Sequence, residues 1–352
     1  MGGTAGLMAQ AMHMERDMRM DAIAEIESGL VPAIDPVAEV DRISRFLART
    51  VSRRLKRRGA VLGISGGVDS AVCAALATAA LGKDRVFGLL MPERDVGDDG
   101  TERARRLCGC LGIRYAVEDI SASLEAIGCY RRRDEAIRRM LPEYGPGWRH
   151  KIAISGTGDD RLPYFDLVAD DGAGNRVSRR MPADVHLHIV AATNFKQRIR
   201  KALEYYHAER LNYAVIGTPN RLEYELGFFV RGGDGLADVK PIAHLFKTQV
   251  YGLAAYLGVP EEIRRQLPST DTYSLPQTQE EFYFGLPYQQ ADVLLHALMA
   301  GIPADRAAAA LGVAAEWVAR VYRDLEAKRK VADRGLREAY VLDDDPAREP
   351  MP

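Results

Sequence analysis

The sequence predicts an α/β protein: a doubly wound, mainly parallel sheet followed by a helical C-terminal part. Three observations predict it. Short apolar strands alternate with segments of helical periodicity between residues 36 and 120, and the alternation resumes at 191. A glycine-rich hexapeptide, SGGVDS at 65–70, lies between one such strand and the next helix. The chain from about 287 onward carries only helical patterning. Strands separated by helices return in the same direction, which is the connectivity of a doubly wound sheet.

The first helix is expected over 36–58. Asp35 is a good N-cap, and Pro36 suits the first helical position, where an N–H would have no partner. Val37, Val40, Ile43, Phe46, Leu47, Val51 and Leu55 recur every three or four residues and give one apolar face, and Gly59 stops the helix. A buried strand over 60–64, an Ala-rich helix over 68–81 and a strand over 85–90 follow. A charged helix over about 98–111 is closed by Gly112, and a strand spans 115–120.

Between 121 and 190 the rhythm breaks. Arg131, Arg132, Arg133, Arg138 and Arg139 mark a basic helical stretch. Tyr164–Val168 and Arg176–Arg180 flank DDGAGN and read as a hairpin, and Asp184–Val190 reads as a further strand. The α/β pattern resumes with a helix over 191–210, a strand at Tyr213–Gly217, a polar stretch over 227–238 and a helix at Lys247–Leu257. Helices close the chain over about 287–300, 303–311 and 313–330.

Composition excludes several classes. Lys plus Arg number 48 against 49 Asp plus Glu, so there is no electrostatic case for nucleic acid or a membrane surface as partner. No apolar run is long enough for a membrane span. The N-terminal residues lack the basic and apolar regions of a secretory signal, and Gly6 breaks the myristoylation pattern. Four cysteines make no disulfide framework; Cys108 and Cys110 have no second pair to complete a zinc site and are expected as buried small side chains. A cytoplasmic protein is expected.

The hexapeptide Ser65, Gly66, Gly67, Val68, Asp69, Ser70 is the most informative stretch. Backbone N–H groups at a helix start form an anion site, and glycines let the backbone approach phosphate oxygens. Unlike a Walker loop, it has no Lys after the second glycine. It has an Asp instead. A carboxylate beside phosphates needs a cation between them, so Asp69 is assigned to Mg2+.

SGGVDS after VLGI resembles the loop of the N-type ATP pyrophosphatases, and the implied fold is that of the adenine nucleotide alpha hydrolases. Four blocks then resemble the NAD synthetases within that superfamily: IDPVAEVDRISRFLAR running into VLGISGGVDSA; LMPERD with LGIRY; the long stretch from NFKQRIRKALEYYHAERLNYAVIGTPN through LADVKPIAHLFKTQV; and LPSTDTYSLPQTQEE with GLPY. They cover most of 33–120 and 191–330. The resemblance implies ATP and Mg2+, with Asp69 and Glu223 as metal carboxylates and Lys247 as a lysine on the ATP phosphates. It implies that Ser65, Gly66, Gly67, Asp69, Ser70, Thr218, Lys247 and Ser269 bind ATP. Asn194, Arg198, Asp238 and Lys328 are implied to bind the second substrate, with Asp234 beside ammonia. The implied reaction adenylates a carboxylate, releases pyrophosphate, and then lets ammonia displace AMP; in NAD synthetases the carboxylate is that of deamido-NAD. A homodimer is implied as well.

Some positions depart from the family pattern. Thr193 stands where Glu is usual, Gln279 where Asp is usual, and the Pro that usually follows the Lys328–Arg329 pair is absent. Seventy-three residues separate Ile120 from Asn194 where NAD synthetases have a short connector, so 121–190 is expected to be an insertion: a lid, a passive elaboration, or a pocket for another carboxylate. An amide ligase of the same family acting on a different carboxylate is therefore the alternative. About 35 residues precede the first helix, so no glutaminase domain is expected there; ammonia would come free or from a separate glutaminase. The phosphate loop, Glu223 and Lys247 must converge on one ATP, so 33–330 is expected to be one ATP-pyrophosphatase/amide-ligase domain. Residues 1–32 are expected to be a flexible start and 331–352 a tail.

Overall fold

The computed structural model describes residues 31–155, 164–270 and 272–336, the last three without their side chains. Most of the expected flexible start and tail therefore lies outside the described residues.

Helix α1 (Pro36–Arg49) begins as its sequence requires, with the Asp35 carboxylate accepting the Val37 N–H at 2.9 Å. One wide turn carries it to Arg54, where Lys56 leaves the helix at φ 52°. Gly59 is needed for a different reason than stopping a helix. A Cβ there would stand 2.3 Å from the Arg85 carbonyl oxygen and 2.6 Å from the Tyr213 ring.

The chain then alternates through β1 (Ala60–Gly63), α2 (Val68–Leu81), β2 (Val86–Leu90), α3 (Asp99–Leu111) and β3 (Arg114–Val117). Gly112 closes α3 in the left-handed conformation, as expected. Helices α4 (Ser121–Ala126) and α5 (Cys129–Arg138) lead to a second sheet of β4 (Arg149–Ser155), β5 (Tyr164–Asp170) and β6 (Arg176–Arg180). The 29-residue helix α6 (Ala183–Leu211) returns the chain to the central sheet at β7 (Ala214–Val215). There follow α7 (Arg221–Leu226), α8 (Lys247–Tyr256), α9 (Glu261–Arg264), α10 (Tyr288–Met299), α11 (Ala304–Leu311) and α12 (Ala315–Leu336).

The central sheet has the order β3-β2-β1-β7, and its pairs are parallel. Successive side chains on a strand point to opposite faces. Ala60, Leu62, Ile64, Val86, Leu90, Ala214 and Ile216 join the core shared with α1, α2, α3 and α8. Val61, Phe87, Leu89 and Val215 pack on the other face against Ala208 and Tyr213. Both faces are covered, so the sheet is doubly wound and its strands read as nearly continuous apolar runs.

Three local expectations are corrected. Asp184–Val190 is helical: its branched residues alternate locally like a strand, but Val185, Ile189, Ala192 and Lys196 lie three or four apart and form the buried face of α6. β4 was not expected, because its inward position His150 is polar on paper; it is fully buried, with Nδ1 hydrogen-bonded to the Tyr144 hydroxyl at 2.9 Å. Cys108 is buried but Cys110 is exposed, since two residues on a helix face opposite ways. The 164–180 hairpin forms as read, with Asp166 opposite Arg180 and Asp170 opposite Arg176. Among the described residues no helix is long and apolar enough to cross a membrane.

A buried charge network ties α6 to the loop after β2, to α5 and to Thr272. Lys196 of α6 donates to Glu93 (2.9 Å), Asp95 (2.7 Å) and the Thr272 carbonyl (2.7 Å). Tyr130 donates to Glu93 at 2.8 Å, and Arg133 pairs with Asp95. Burial alone would raise the Asp95 pKa; Lys196 and Arg133 outweigh it and hold the carboxyl below its usual range. Lys196→Ala leaves two buried carboxylates without their shared cation. It is expected to cost about 3–5 kcal/mol, seen as a lower urea midpoint with unchanged slope.

Candidate functional site

β1 ends at Gly63 and the chain turns at Ser65–Gly67 into α2, so the loop lies at the carboxyl edge of the parallel sheet, where open α/β folds bind ligands. Gly66 sits at φ 84°, and a Cβ there would fall 2.3 Å from the Gly100 carbonyl oxygen. Ser65 Oγ accepts the Gly67 N–H at 3.2 Å, and the Ser70 hydroxyl donates to the Gly67 carbonyl at 3.0 Å. These bonds set the loop before any ligand arrives.

Asp69, in the first turn of α2, pairs with the Nζ of Lys247, the first residue of α8. Lys247 is buried. Burial alone would lower its pKa, but Asp69 and Glu223 outweigh this and raise it above the ordinary lysine range. Asp292 of α10 holds the start of α8, accepting the Lys247 and Thr248 N–H groups at 3.2 and 2.8 Å. Burial pushes the Asp292 carboxyl up to about 7.

Glu223 is placed by a capping box. Asn220 Oδ1 accepts the Glu223 N–H at 3.2 Å, and Glu223 Oε2 accepts the Asn220 N–H at 3.1 Å. Its other oxygen accepts from Gln279 Nε2 at 3.0 Å, and Asn220 Nδ2 donates to Asp69 at 3.3 Å. Burial and then the charge of Asp69 push Glu223 up to about 8. At such a carboxyl a proton and a cation compete for the same oxygens. Two converging carboxylates beside a phosphate loop are the hard oxygen donors that Mg2+ takes together with phosphate oxygens and water, so the residues fit that ion. Burial raises the neighbouring Cys73 thiol well above its usual range, reinforced by Asp69 and Glu223, which keeps it from acting as a nucleophile.

One cavity of about 410 Å³ is lined by the loop, Asp69, Thr218, Glu223, Lys247, Ser269, Asn194 and Asp234. A second of about 560 Å³ shares Ser65, Ser70, Thr218, Asp234 and Ser269 with it, so the two form one cleft along α6. Asp234 accepts the Val230 N–H at 2.7 Å, and burial raises its pKa. Three residues expected in the acceptor site stand outside the cleft lining. Arg198 is exposed on the flank of α6 shared with Ala191 and Phe195, and it donates to the Arg231 carbonyl at 3.2 Å. Asp238 accepts the Val215 N–H at 2.8 Å and the Tyr205 hydroxyl at 3.2 Å. Lys328 donates to the carbonyl of Tyr283 at 2.9 Å; Tyr283 itself lines the cavity.

The Ser269–Gln279 segment rests on β4. His150 donates its N–H to Ser274 Oγ at 2.9 Å and accepts the Leu275 N–H at 3.0 Å, and Lys151 pairs with Glu281 at 2.8 Å. Asn220 and Asp292 were not among the expected site residues. The Asn220-x-x-Glu223 spacing is a capping signal that points to the first, whereas nothing local marks Asp292.

A parallel sheet with a phosphate loop at its carboxyl edge, faced by one lysine and two carboxylates, defines an α/β protein built to hold a nucleotide. The chain matches the NAD synthase family over residues 39–140 and 176–332, and it belongs to that family. The gap in the match, 141–175, is narrower than the expected insertion and holds β4 and β5. The chain is 52% identical over 310 residues to the NH(3)-dependent NAD(+) synthetase of Rhizobium rhizogenes, covering 88% of this chain and 93% of that one. It is 54% identical over 298 residues to the NH(3)-dependent NAD(+) synthetase of Rhizobium meliloti, covering 84% and 89%. Its fold is like that of the solved NMN synthetase from Francisella tularensis: TM-score 0.61, 22% identity, 88% of this chain and 99% of that one.

Asp69→Ala is expected to lower ATP-dependent pyrophosphate release by at least about 100-fold, the loss of several kcal/mol of charge stabilisation. A pyrophosphate assay at saturating ATP reads it. Because a proton on Glu223 competes with the cation, the Mg2+ concentration for half-maximal rate is expected to fall as pH rises through about 8, read from Mg2+ titrations at several pH values.

Proposed function

We propose that this chain makes NAD+ from deamido-NAD, ATP and ammonia, releasing AMP and pyrophosphate. The observation that carries this is the convergence of the Ser65–Ser70 loop, Lys247 and the Asp69–Glu223 pair in one cleft whose wall includes Asn194. Identities of 52% and 54% to enzymes named for this reaction support the choice of carboxylate.

In the first step a carboxylate oxygen of the acceptor attacks the α-phosphorus of ATP, and the bond to the β-phosphate oxygen breaks to release pyrophosphate. The loop N–H groups and Lys247 face the phosphates and stabilise the charge that builds on them. Asp69 and Glu223 would hold Mg2+, which when bound would neutralise the phosphate oxygens further. In the second step the ammonia nitrogen attacks the acyl carbon, the bond from that carbon to the bridging oxygen breaks so that AMP leaves with the oxygen, and the nitrogen loses a proton. Asp234 is the base assigned to that proton: it is half-buried in the cleft, and its raised pKa makes it a better acceptor than an exposed carboxylate.

Neither Thr193 nor Gln279 calls for another acceptor. The Thr193 hydroxyl donates inside its own helix, to the Ile189 carbonyl at 2.9 Å. Gln279 places a neutral donor on Glu223.

The test is AMP and NAD+ formation with ATP, Mg2+, ammonium and deamido-NAD, run beside other carboxylates, including the mononucleotide. Turnover with deamido-NAD at the highest kcat/KM is expected; a folded protein that releases pyrophosphate only with another carboxylate would overturn the choice of acceptor. Asp234→Asn is expected to raise the KM for ammonium and lower the rate by about 100-fold in all, with ATP binding unchanged in a calorimetric titration.

A further inference from the structure

Phe165 and His186 stack face to face, with ring centroids 4.2 Å apart and planes 12° from parallel. Both line the cavity that holds Asp69, Lys247 and Asn194. Phe165 is the outermost of three residues on the inward face of β5, with Leu167 and Ala169 buried behind it. Its carbonyl accepts the Met181 N–H at 2.8 Å, which ties the strand to the approach to α6. His186 is on the opening turns of α6, on the stripe His186, Val190, Asn194 and Gln197 that faces the cavity at spacings of three and four.

The cleft therefore follows α6 from Glu204, whose carboxylate approaches Gly63 at the end of β1, out to His186. That length is about 27 Å at 1.5 Å per residue. On the amidation reading the nucleoside triphosphate takes the end at the strand tips and the Ser65–Ser70 loop. The outer end carries apolar and aromatic side chains, Val190 and Phe282 beside the stacked pair. Burial lowers the His186 pKa, so at neutral pH its imidazole is an uncharged aromatic surface. Phe165 belongs to 141–175, the stretch that the family match leaves out.

We propose that the Phe165–His186 pair is a stacking wall for a planar heteroaromatic ring of the acceptor, one of the two bases of deamido-NAD, and that segment 141–175 is present to supply it. The assignment rests on the amidation reading above. A stacked pair offers a flat π surface that tolerates any aromatic base and binds it without a hydrogen-bond code. It thus acts on acceptor binding and leaves ATP alone.

The test uses the full chain with ATP, Mg2+, ammonium and deamido-NAD. Phe165→Leu keeps an apolar side chain and removes the ring. It is expected to raise the KM for deamido-NAD about 5- to 150-fold, the range for one stacked base, with the KM for ATP unchanged. Phe165→Tyr keeps the ring and is expected to restore the wild-type value. His186→Leu repeats the test from the helix side and replaces Phe165→Leu if that variant does not fold. An unchanged KM for deamido-NAD in a folded variant, or a parallel rise in the KM for ATP, overturns the wall. Wild-type protein that does not turn over deamido-NAD removes the amidation reading first, and the wall with it; normal wild-type turnover with unmoved variants removes the wall alone.

Discussion

The site depends on one buried cation paired with one carboxylate and close to a second. Lys247 pairs with Asp69 across 178 residues of sequence, and Glu223 lies close enough to raise its pKa further. A buried charge without a partner is costly, and a buried pair stays stable only when its remaining hydrogen-bonding groups are satisfied. Those second partners are present. Asp292 holds the backbone at Lys247, Asn220 reaches Asp69, and Gln279 reaches Glu223. Because Asp69, Glu223 and Lys247 all stand at helix starts, fixing the charges also fixes the elements that carry them. The result is a positive lysine and a cation-ready carboxylate pair set in place around the phosphate loop, so little reorganisation is needed when charge moves.

Helix α6 connects this centre to the rest of the molecule. Its C-terminal half packs on the central sheet through Ala208, and its N-terminal half packs through Val185 and Ile189 on the core of the second sheet. Between them Lys196 bridges Glu93, Asp95 and the Thr272 carbonyl, so the loop after β2, helix α5 and the Ser269–Gln279 segment share one set of charges. The second sheet is thereby a strut behind the cleft: β4 holds the Ser274–Leu275 backbone on one side while β5 turns Phe165 into the cavity on the other.

Much of the fold was legible because its signals are local. The apolar spacing of α1, the cap at Asp35, the left-handed Gly112 and the strand–SGG–helix order depend on neighbours within a few residues, and the structure has each of them. The second sheet was read incompletely for equally physical reasons. His150 is a buried inward residue that looks polar until the Tyr144 hydroxyl is seen beside it. Asp184–Val190 alternates like a strand, yet helix packing on both sheets overrides that local preference. Among the residues expected at the acceptor site, Asn194 reaches the cavity, whereas Arg198, rotated toward the flank of α6 that carries Ala191 and Phe195, stays exposed.

By itself the sequence determined the parallel α/β order, the phosphate loop and the residue types around it, since helical periodicity, capping and glycine conformations are properties of short stretches of chain. Only the tertiary structure decided that Asp292 caps the helix of Lys247, that Gln279 rests on Glu223, and that Phe165 from the second sheet stacks on His186 in the cleft. These contacts join residues 21 to 56 positions apart through packing and charge neutralisation in a buried, low-dielectric interior, and nothing in the spacing of either partner encodes the other.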